Sequence, residues 1–397
     1  MQDNRHRVIV TGIGLVTAIG QDRPTTWANL LAGKSGIKLA CRPPFADTPI
    51  PLAIIDRLSA GEASQPRAQR LVLQAVSEAI ADAGLVLPLP NCGIVVGSSR
   101  AHQIELEAVL SSDLNNLSAI PWLSLLPGSI ASIVAAYTQT QSVVLSPMAA
   151  CATGNWAIAA AYEAIQMGKC DKAIAAAVDA PITPLSIAGF RQIGAMARTG
   201  LYPFSREREG LVLGEGAAAI VMESARSLYQ RQQTIEHIDS YGEVLGFGIA
   251  NDAWHPTSPD PQHIQAERAI HACLDRVGIT TRDVDHINLH GTGTQLNDAA
   301  EANLVTRVFP QSPAIGATKG ATGHALGATS MMEAIFCLLS LQQQLLPPCT
   351  GMRSPDFDLN FTRTTRTAEL EIALNLSFGF GGQNSIVAFG RSKVPLT

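Results

Sequence analysis

The stretch Pro147-Met148-Ala149-Ala150-Cys151-Ala152-Thr153-Gly154 lies between a short apolar β-like run, Ser142 to Leu145, and an Ala-rich helical pattern from Asn155 to Met167. A strand that turns sharply into a helix sets the residue at the turn on the helix N-terminus, where free N–H groups and the positive end of the dipole favour an anion. A thiol there is expected to lose its proton more readily, and the thiolate is the reactive species. The same pattern also suits a small buried hydrophobe, as most free cysteines are. The stretch alone leaves both readings open.

Outward from Cys151 the chain alternates strands and helices. Arg7 to Gly14 reads as a buried strand ending in a glycine turn, and Trp27 to Ala32 as a helix. Cys41 to Pro66, rich in Pro and small residues, reads as irregular. Gln69 to Ala83 reads as a helix with Gly84 as its C-cap, Cys92 to Ser99 as a buried strand and Lys172 to Val178 as a central strand. The second half restarts the pattern with a strand at Ile238 to Phe247, a helix at Ile264 to Val277 and a short strand at His286 to Leu289. This alternation predicts an α/β fold with a mainly parallel sheet covered on both faces. An internal echo suggests duplication: Ala152-Thr153-Gly154 precedes Glu163-Ala164-Ile165, and Ala321-Thr322-Gly323 precedes Glu333-Ala334-Ile335. The expected halves are residues 1–237 and 238–397.

Composition bounds the function. At 397 residues, 46% hydrophobic and 15% charged, the chain buries much surface, subunit contacts included. A net charge of −5 argues against a general nucleic-acid binder. The seven cysteines are scattered, with no Cys-x-x-Cys pair or metal-type cluster, so free thiols in a reducing cytoplasm are expected. The N-terminus is polar and does not read as a signal peptide. The apolar runs at Ile130–Tyr137 and Ile335–Leu346 are too short or interrupted to span a bilayer.

Three more motifs carry chemistry, all in the second half. His290-Gly291-Thr292-Gly293-Thr294-Gln295-Leu296-Asn297-Asp298 follows a strand, at the end where α/β sheets present functional groups. Lys319-Gly320-Ala321-Thr322-Gly323-His324 sets a second imidazole before a helix, and Ser377-Phe378-Gly379-Phe380-Gly381-Gly382 forms a Gly/Phe loop before a last strand. Singly these suit a packed histidine, a capping residue and a tight turn. Together with Cys151, and in this order, they resemble the β-ketoacyl-[acyl carrier protein] synthases, the condensing enzymes of fatty acid and polyketide synthesis. The resemblance extends to Val10–Gly14, to Pro203-Phe204-Ser205-Arg206-Glu207-Arg208-Glu209-Gly210 leading into Gly214-Glu215-Gly216, and to Asp252–Thr257.

The resemblance implies a thiolase-like duplicated fold of five layers, α-β-α-β-α, each half with a mixed sheet. It implies Cys151 as the acyl-accepting nucleophile, His290 and His324 as the active-site histidines, Lys319 as the electrostatic organiser and Glu333 as its supporting acid. Thr292, Thr294 and Thr257 would contact the pantetheine arm, with Phe380 as a gate beside the nucleophile and Phe378 as its neighbour. No metal and no bound cofactor are implied, only the phosphopantetheine arm of an acyl carrier protein. A homodimer is implied, or a heterodimer with a paralogous subunit. Carriers are acidic, so exposed bases are needed for docking, and Arg67, Arg70, Arg206 and Arg208 are the candidates.

The chain also departs from the family pattern. Ala101 to Met148 matches poorly, Met148 and Ala149 stand before the nucleophile, and Trp156 follows it. Asp179 stands where a Glu is usual, and Gln383 where a Thr is usual. These departures leave chain-length preference open and point to a specialised paralogue. The alternatives are a non-elongating acyltransferase or decarboxylase of the same fold, a pocket-shaping partner subunit, and a Cys-His hydrolase. The partner reading fits poorly with a retained Cys151, His290 and His324. The hydrolase reading lacks an acid placed to orient either histidine.

Overall fold

The structure is a computed structural model that describes residues 7–42, 45–56, 58, 65–111, 122–233 and 238–392. In chain order the strands are β1 (Val8–Val16), β2 (Lys38–Arg42), β3 (Phe45–Leu52), β4 (Cys92–Gly97), β5 (Val144–Leu145), β6 (Lys172–Asp179) and β7 (Gly216–Ser224). They continue as β8 (Gly242–Asn251), β9 (His286–Asn288), β10 (Ala314–Gly316), β11 (Leu345–Leu346), β12 (Arg366–Thr367), β13 (Ile372–Gly379) and β14 (Gln383–Gly390).

One ten-stranded sheet runs β10-β9-β13-β14-β8-β1-β7-β6-β4-β5. Its seam is a short antiparallel pairing of Val8–Val10 with Gly242–Val244. Outward from that seam the two sides repeat, β1-β7-β6-β4-β5 on one and β8-β14-β13-β9-β10 on the other. On each side the inner two pairings are antiparallel and the outer two parallel. The duplication is therefore written in the topology, and the sheet is mixed where strand–helix alternation predicts a mainly parallel one. The strand β7, buried throughout, is the reason: a continuous apolar run does not disclose its direction.

Helices complete five layers. Helix Arg67–Asp82 packs on β1 and β7, and helix Ile264–Val277 packs on β8 and β14. Helices Thr153–Gln166 and Gly327–Gln343 lie between the two sides and against each other. The second of these is buried at every position from Gly327 to Leu341, as expected of a helix apolar on all faces. The tight outer packing explains two glycines. A Cβ on Gly14 of β1 would sit 1.9 Å from the Ala75 carbonyl oxygen, and one on Gly248 of β8 would sit 1.9 Å from that of Ala269. Gly14 thus lies inside a strand that runs on to Val16, not in the terminal turn the sequence suggests.

Two further expectations are corrected. The segment read as irregular from Cys41 holds most of a hairpin, with β2 and β3 paired antiparallel from Lys38↔Leu52. A two-stranded sheet leaves each strand an open edge, which tolerates Pro49 and Pro51. The letter-by-letter echo also dissolves. Gly154 is inside a helix, where a Cβ would meet the Met331 nitrogen at 2.3 Å, whereas Gly323 is a turn residue with φ 68°. Glu163 is half-exposed, whereas Glu333 is buried.

Candidate active site

The carboxyl ends of the parallel strands carry the chemistry, as open α/β sheets favour. Cys151 follows β5, His290 follows β9, Lys319 and His324 follow β10, and Phe380 follows β13. Folding of the two sides around the central helices brings these ends together.

At Cys151 the backbone turns through Ala150, a non-glycine residue with φ 48°, a conformation that costs roughly 1–2 kcal/mol. Thr153 holds the turn: its Oγ1 accepts the Ala149 N–H at 2.9 Å and donates to the Ala150 carbonyl at 2.7 Å. A single 3-10 turn, Ala150–Ala152, then feeds helix Thr153–Gln166. The other side has the same device, with Leu326 at φ 44° directly before helix Gly327–Gln343.

Cys151 Sγ lies 3.2 Å from His324 Nε2, and His324 Nδ1 lies 3.1 Å from Thr329 Oγ1. The rings of His290 and His324 stand edge to face with centroids 5.5 Å apart. The nearest ligand-type atoms of Cys151, His290 and His324 all lie within 4.8 Å of one another. Behind them Lys319 Nζ contacts His290 Nδ1 at 3.3 Å, donates to the His290 carbonyl, and pairs with Glu333 at 2.8 and 3.0 Å. Glu333 also accepts the Thr318 hydroxyl at 3.2 Å. Lys319 thus lies between His290 and Glu333.

Other residues at the site lie outside that reading. The Glu301 carboxylate accepts the backbone N–H of His290 and that of Gly291, the latter at 2.9 Å. Asp298 accepts the N–H of Gly293 at 3.1 Å and of Phe204 at 2.8 Å. Their signal was present: Asn297, Asp298 and Glu301 are polar residues on the buried face of helix Gln295–Val308. Thr329, against His324, sits in an apolar helix and gave no signal. His263 is 1% exposed, packs edge-on against Phe378 at 4.8 Å, and neither of its ring nitrogens has a partner among the described residues.

Burial dominates the electrostatics. It pushes the Cys151 thiol up to about 11, with Lys319 opposing and the Asp179 carboxylate adding to it. The dipole argument predicted the reverse, and desolvation outweighs it. Burial, reinforced by Lys319, holds both His290 and His324 well below the usual histidine range. A protonated thiol and a neutral imidazole thus face each other at 3.2 Å.

Two cavities meet at Cys151. One, of about 250 Å³, is lined by Thr257, Thr292 and Thr294 together with His324, Phe378 and Phe380. The other, of about 320 Å³, is lined by Ser99, Arg100, Met148 and Gln383. Phe190 and Phe380 border both and stack at 6.0 Å. Thr292 and Thr294 hydroxyls lie 2.9 Å apart. Trp156, whose bulk suits either reshaping the pocket or packing its helix, lines neither cavity.

The docking arginines divide. Arg67 is a structural clamp: its guanidinium pairs with buried Glu215 and reaches the Ile55 carbonyl, and Glu215 also accepts the Ile55 N–H at 2.7 Å. Arg208 is 6% exposed, pairs with Asp356 at 2.6 Å and lies over the Phe357 ring. Arg208 is therefore too buried to serve as an exposed docking base, and the Arg67 guanidinium is engaged within the fold. Arg70 is half-buried with Nη2 3.5 Å from the Leu58 carbonyl. Arg206 is 73% exposed, 3.8 Å from Asp356.

A duplicated five-layer α/β sandwich with one cysteine and two histidines at the meeting of its halves defines the thiolase-fold condensing enzymes. Residues 53–227 match the family "Beta-ketoacyl synthase, N-terminal domain" and residues 241–353 match "Beta-ketoacyl synthase, C-terminal domain". The chain is 31% identical to 3-oxoacyl-[acyl-carrier-protein] synthase 2 of Mycobacterium leprae over 408 residues, 96% of each chain. It is 31% identical to the enzyme of that name from Staphylococcus aureus, over 98% of this chain and 99% of the relative. Among solved structures it superposes on the ishigamide ketosynthase/chain length factor with a TM-score of 0.90 at 28% identity, over 98% of this chain and 100% of the other. A type II polyketide ketosynthase, bound to its acyl-carrier protein and a hexaketide, superposes with a TM-score of 0.88 at 28% identity, over the same shares. The chain belongs to the β-ketoacyl synthase family.

Proposed function

We propose that the chain is a β-ketoacyl-[acyl carrier protein] synthase whose nucleophile is Cys151, joining a malonyl unit to an acyl chain in fatty acid or polyketide synthesis. The observation that carries this reading is the Cys151–His324 contact of 3.2 Å inside a cluster shared with His290 and ordered by Lys319. In the first step Cys151 Sγ attacks the thioester carbon of an acyl-carrier. Its proton passes through His324 to the departing pantetheine sulfur, and the carrier C–S bond breaks. The N–H groups of Cys151 and Phe380 face the developing oxyanion.

In the second step malonyl-carrier enters through the threonine-lined cavity. Its C–C bond breaks to release CO2, and negative charge gathers on the thioester oxygen. Neutral imidazoles donate hydrogen bonds there without leaving a proton behind, which is the use of the depressed values at His290 and His324. The carbanion attacks the acyl carbon, the Cys151–acyl bond breaks, and the product is a β-ketoacyl-carrier two carbons longer. The halves 1–237 and 238–397 thus supply nucleophile and donors respectively.

The partner under this reading is an acyl carrier protein, whose phosphopantetheine arm is the only prosthetic group involved, and Arg206 is the exposed docking base. A homodimer or a heterodimer with a paralogous subunit is the expected assembly. The seven cysteines are all free thiols, which favours a reducing, cytoplasmic setting. Among the described residues no helix is long and apolar enough to cross a membrane. Incubation with malonyl-carrier and a panel of acyl-carriers tests the reading: mass spectrometry should find the acyl group on Cys151 and a β-ketoacyl product. Product formation without acylation of Cys151 would overturn it.

A further inference from the structure

The second cavity gathers three of this chain's departures from its family pattern. Met148, Ala149 and Gln383 all line it beside Cys151, and so do Ser99 and Arg100. The topology explains the meeting. β4, β5 and β6 are neighbouring strands running in parallel, so the loops after β4 and β5 and the end of β6 emerge together.

The loop after β4 is fixed by a buried carboxylate. Asp179 accepts the Arg100 N–H at 2.8 Å, the Ser99 hydroxyl at 2.7 Å and the Ser98 hydroxyl at 2.8 Å. It also accepts the Gly327 N–H at 2.8 Å, at the start of the helix that follows His324. The Arg100 backbone is thereby tied to the frame that holds the catalytic cluster. Its side chain is not consumed by that tie. Asp179 takes the backbone N–H, and among the described residues no carboxylate pairs with the Arg100 guanidinium. Arg100 is exposed to solvent and lines the cavity that also reaches Cys151. Gln383, half-buried on the same wall, has no hydrogen-bond partner for its side-chain amide among the described residues.

A cavity meant for a purely aliphatic chain gains nothing from a guanidinium and an unpaired amide, since both must give up water when the chain enters. We propose that Arg100, assisted by Gln383, is a specificity determinant that recognises an oxygen on the acyl group held by Cys151, so that this cavity favours acyl chains bearing a carboxylate or carbonyl oxygen over aliphatic chains of equal length. The inference rests on Cys151 being the acyl-accepting residue. The guanidinium supplies up to five N–H donors, and bonds from a charged donor are the strong ones.

The test compares acylation of Cys151 by hexanoyl-, adipoyl- and 3-oxohexanoyl-carrier, followed by intact-protein mass spectrometry. Adipoyl carries a terminal carboxylate and 3-oxohexanoyl a ketone near the thioester, so the two distinguish which oxygen is read. At least one should load with a kcat/KM about tenfold above hexanoyl. Arg100→Met should bring that ratio near one while hexanoyl loads at its original rate, which certifies the fold. Arg100→Lys should keep part of the preference. Equal or faster hexanoyl loading by the unaltered chain, or an unchanged ratio in Arg100→Met, would overturn the proposal. Failure of every donor to acylate Cys151 would instead overturn the nucleophile assignment beneath it.

Discussion

Lys319 and Glu333 form an ion pair at 2.8 Å with side chains 0% and 1% exposed, and the same ammonium contacts His290 Nδ1 at 3.3 Å. One pair therefore serves both the fold and the site. Removing one partner strands a charge in the core, which costs about 3–5 kcal/mol. Lys319→Ala should lose that much stability by urea titration, and condensation with it. The double variant Lys319→Met with Glu333→Met should recover most of the stability, because neither charge then remains buried, yet stay inactive. Activity in the double variant would show that the ammonium does not organise the site.

Cys151→Ala removes the acyl acceptor and leaves His290, His324 and Lys319 in place. Condensation should vanish while release of CO2 from malonyl-carrier stays measurable. His324→Ala should lower that decarboxylation on the order of 100-fold or more, the usual effect of deleting one oxyanion donor. Undiminished CO2 release in His324→Ala would exclude the imidazole from the second step.

The resting thiol offers a pH test. With burial holding Cys151 near 11, the thiolate fraction grows through the accessible range. Alkylation by iodoacetamide should accelerate close to tenfold per pH unit between about pH 7 and 10, with no plateau. A plateau near neutrality would mean a resting thiolate and would restore the helix-dipole expectation.

His263 and His286 each contribute to acid sensitivity. Burial lowers each to about 4, below the unfolded value of about 6.5. At these two sites the unfolded chain takes up protons first as pH falls, so their contribution to stability is full above about pH 6.5 and drains towards pH 4. Each histidine should cost roughly 2 kcal/mol at pH 5 relative to pH 7.5. His263→Phe should flatten the pH slope of the urea midpoint, and an unchanged slope would argue against a neutral, buried His263.

The fold and the cluster were legible to different degrees, for physical reasons. Cys151, His290, Lys319 and His324 stand in glycine-flanked loops after apolar strands, a local pattern any reader of the chain meets. The direction of β7, the hairpin of β2 and β3, and the role of Thr329 depend on what each segment packs against, which no local window contains. Desolvation is the extreme case. The dipole at the start of helix Thr153–Gln166 is visible in sequence, whereas the burial that outweighs it at Cys151 comes from residues distant along the chain, among them Leu52, Phe190, Leu211 and Leu326.

Arg67 and Arg206 separate structure from docking. Arg67 is held by Glu215, which is 3% exposed, so charge reversal there places two carboxylates face to face in a largely dry setting. Arg67→Glu should destabilise the fold by about 3–5 kcal/mol, visible in urea titration whether or not a carrier is present. Arg206 is 73% exposed and 3.8 Å from Asp356, a surface pair worth little to stability. Arg206→Glu should leave the urea midpoint unchanged and raise the KM for acyl-carrier several-fold at low salt. The effect should fade as ionic strength rises, because screening weakens attraction between exposed charges. A KM for Arg206→Glu equal to the parent's at low salt would remove Arg206 from the docking face and direct the search to other exposed bases.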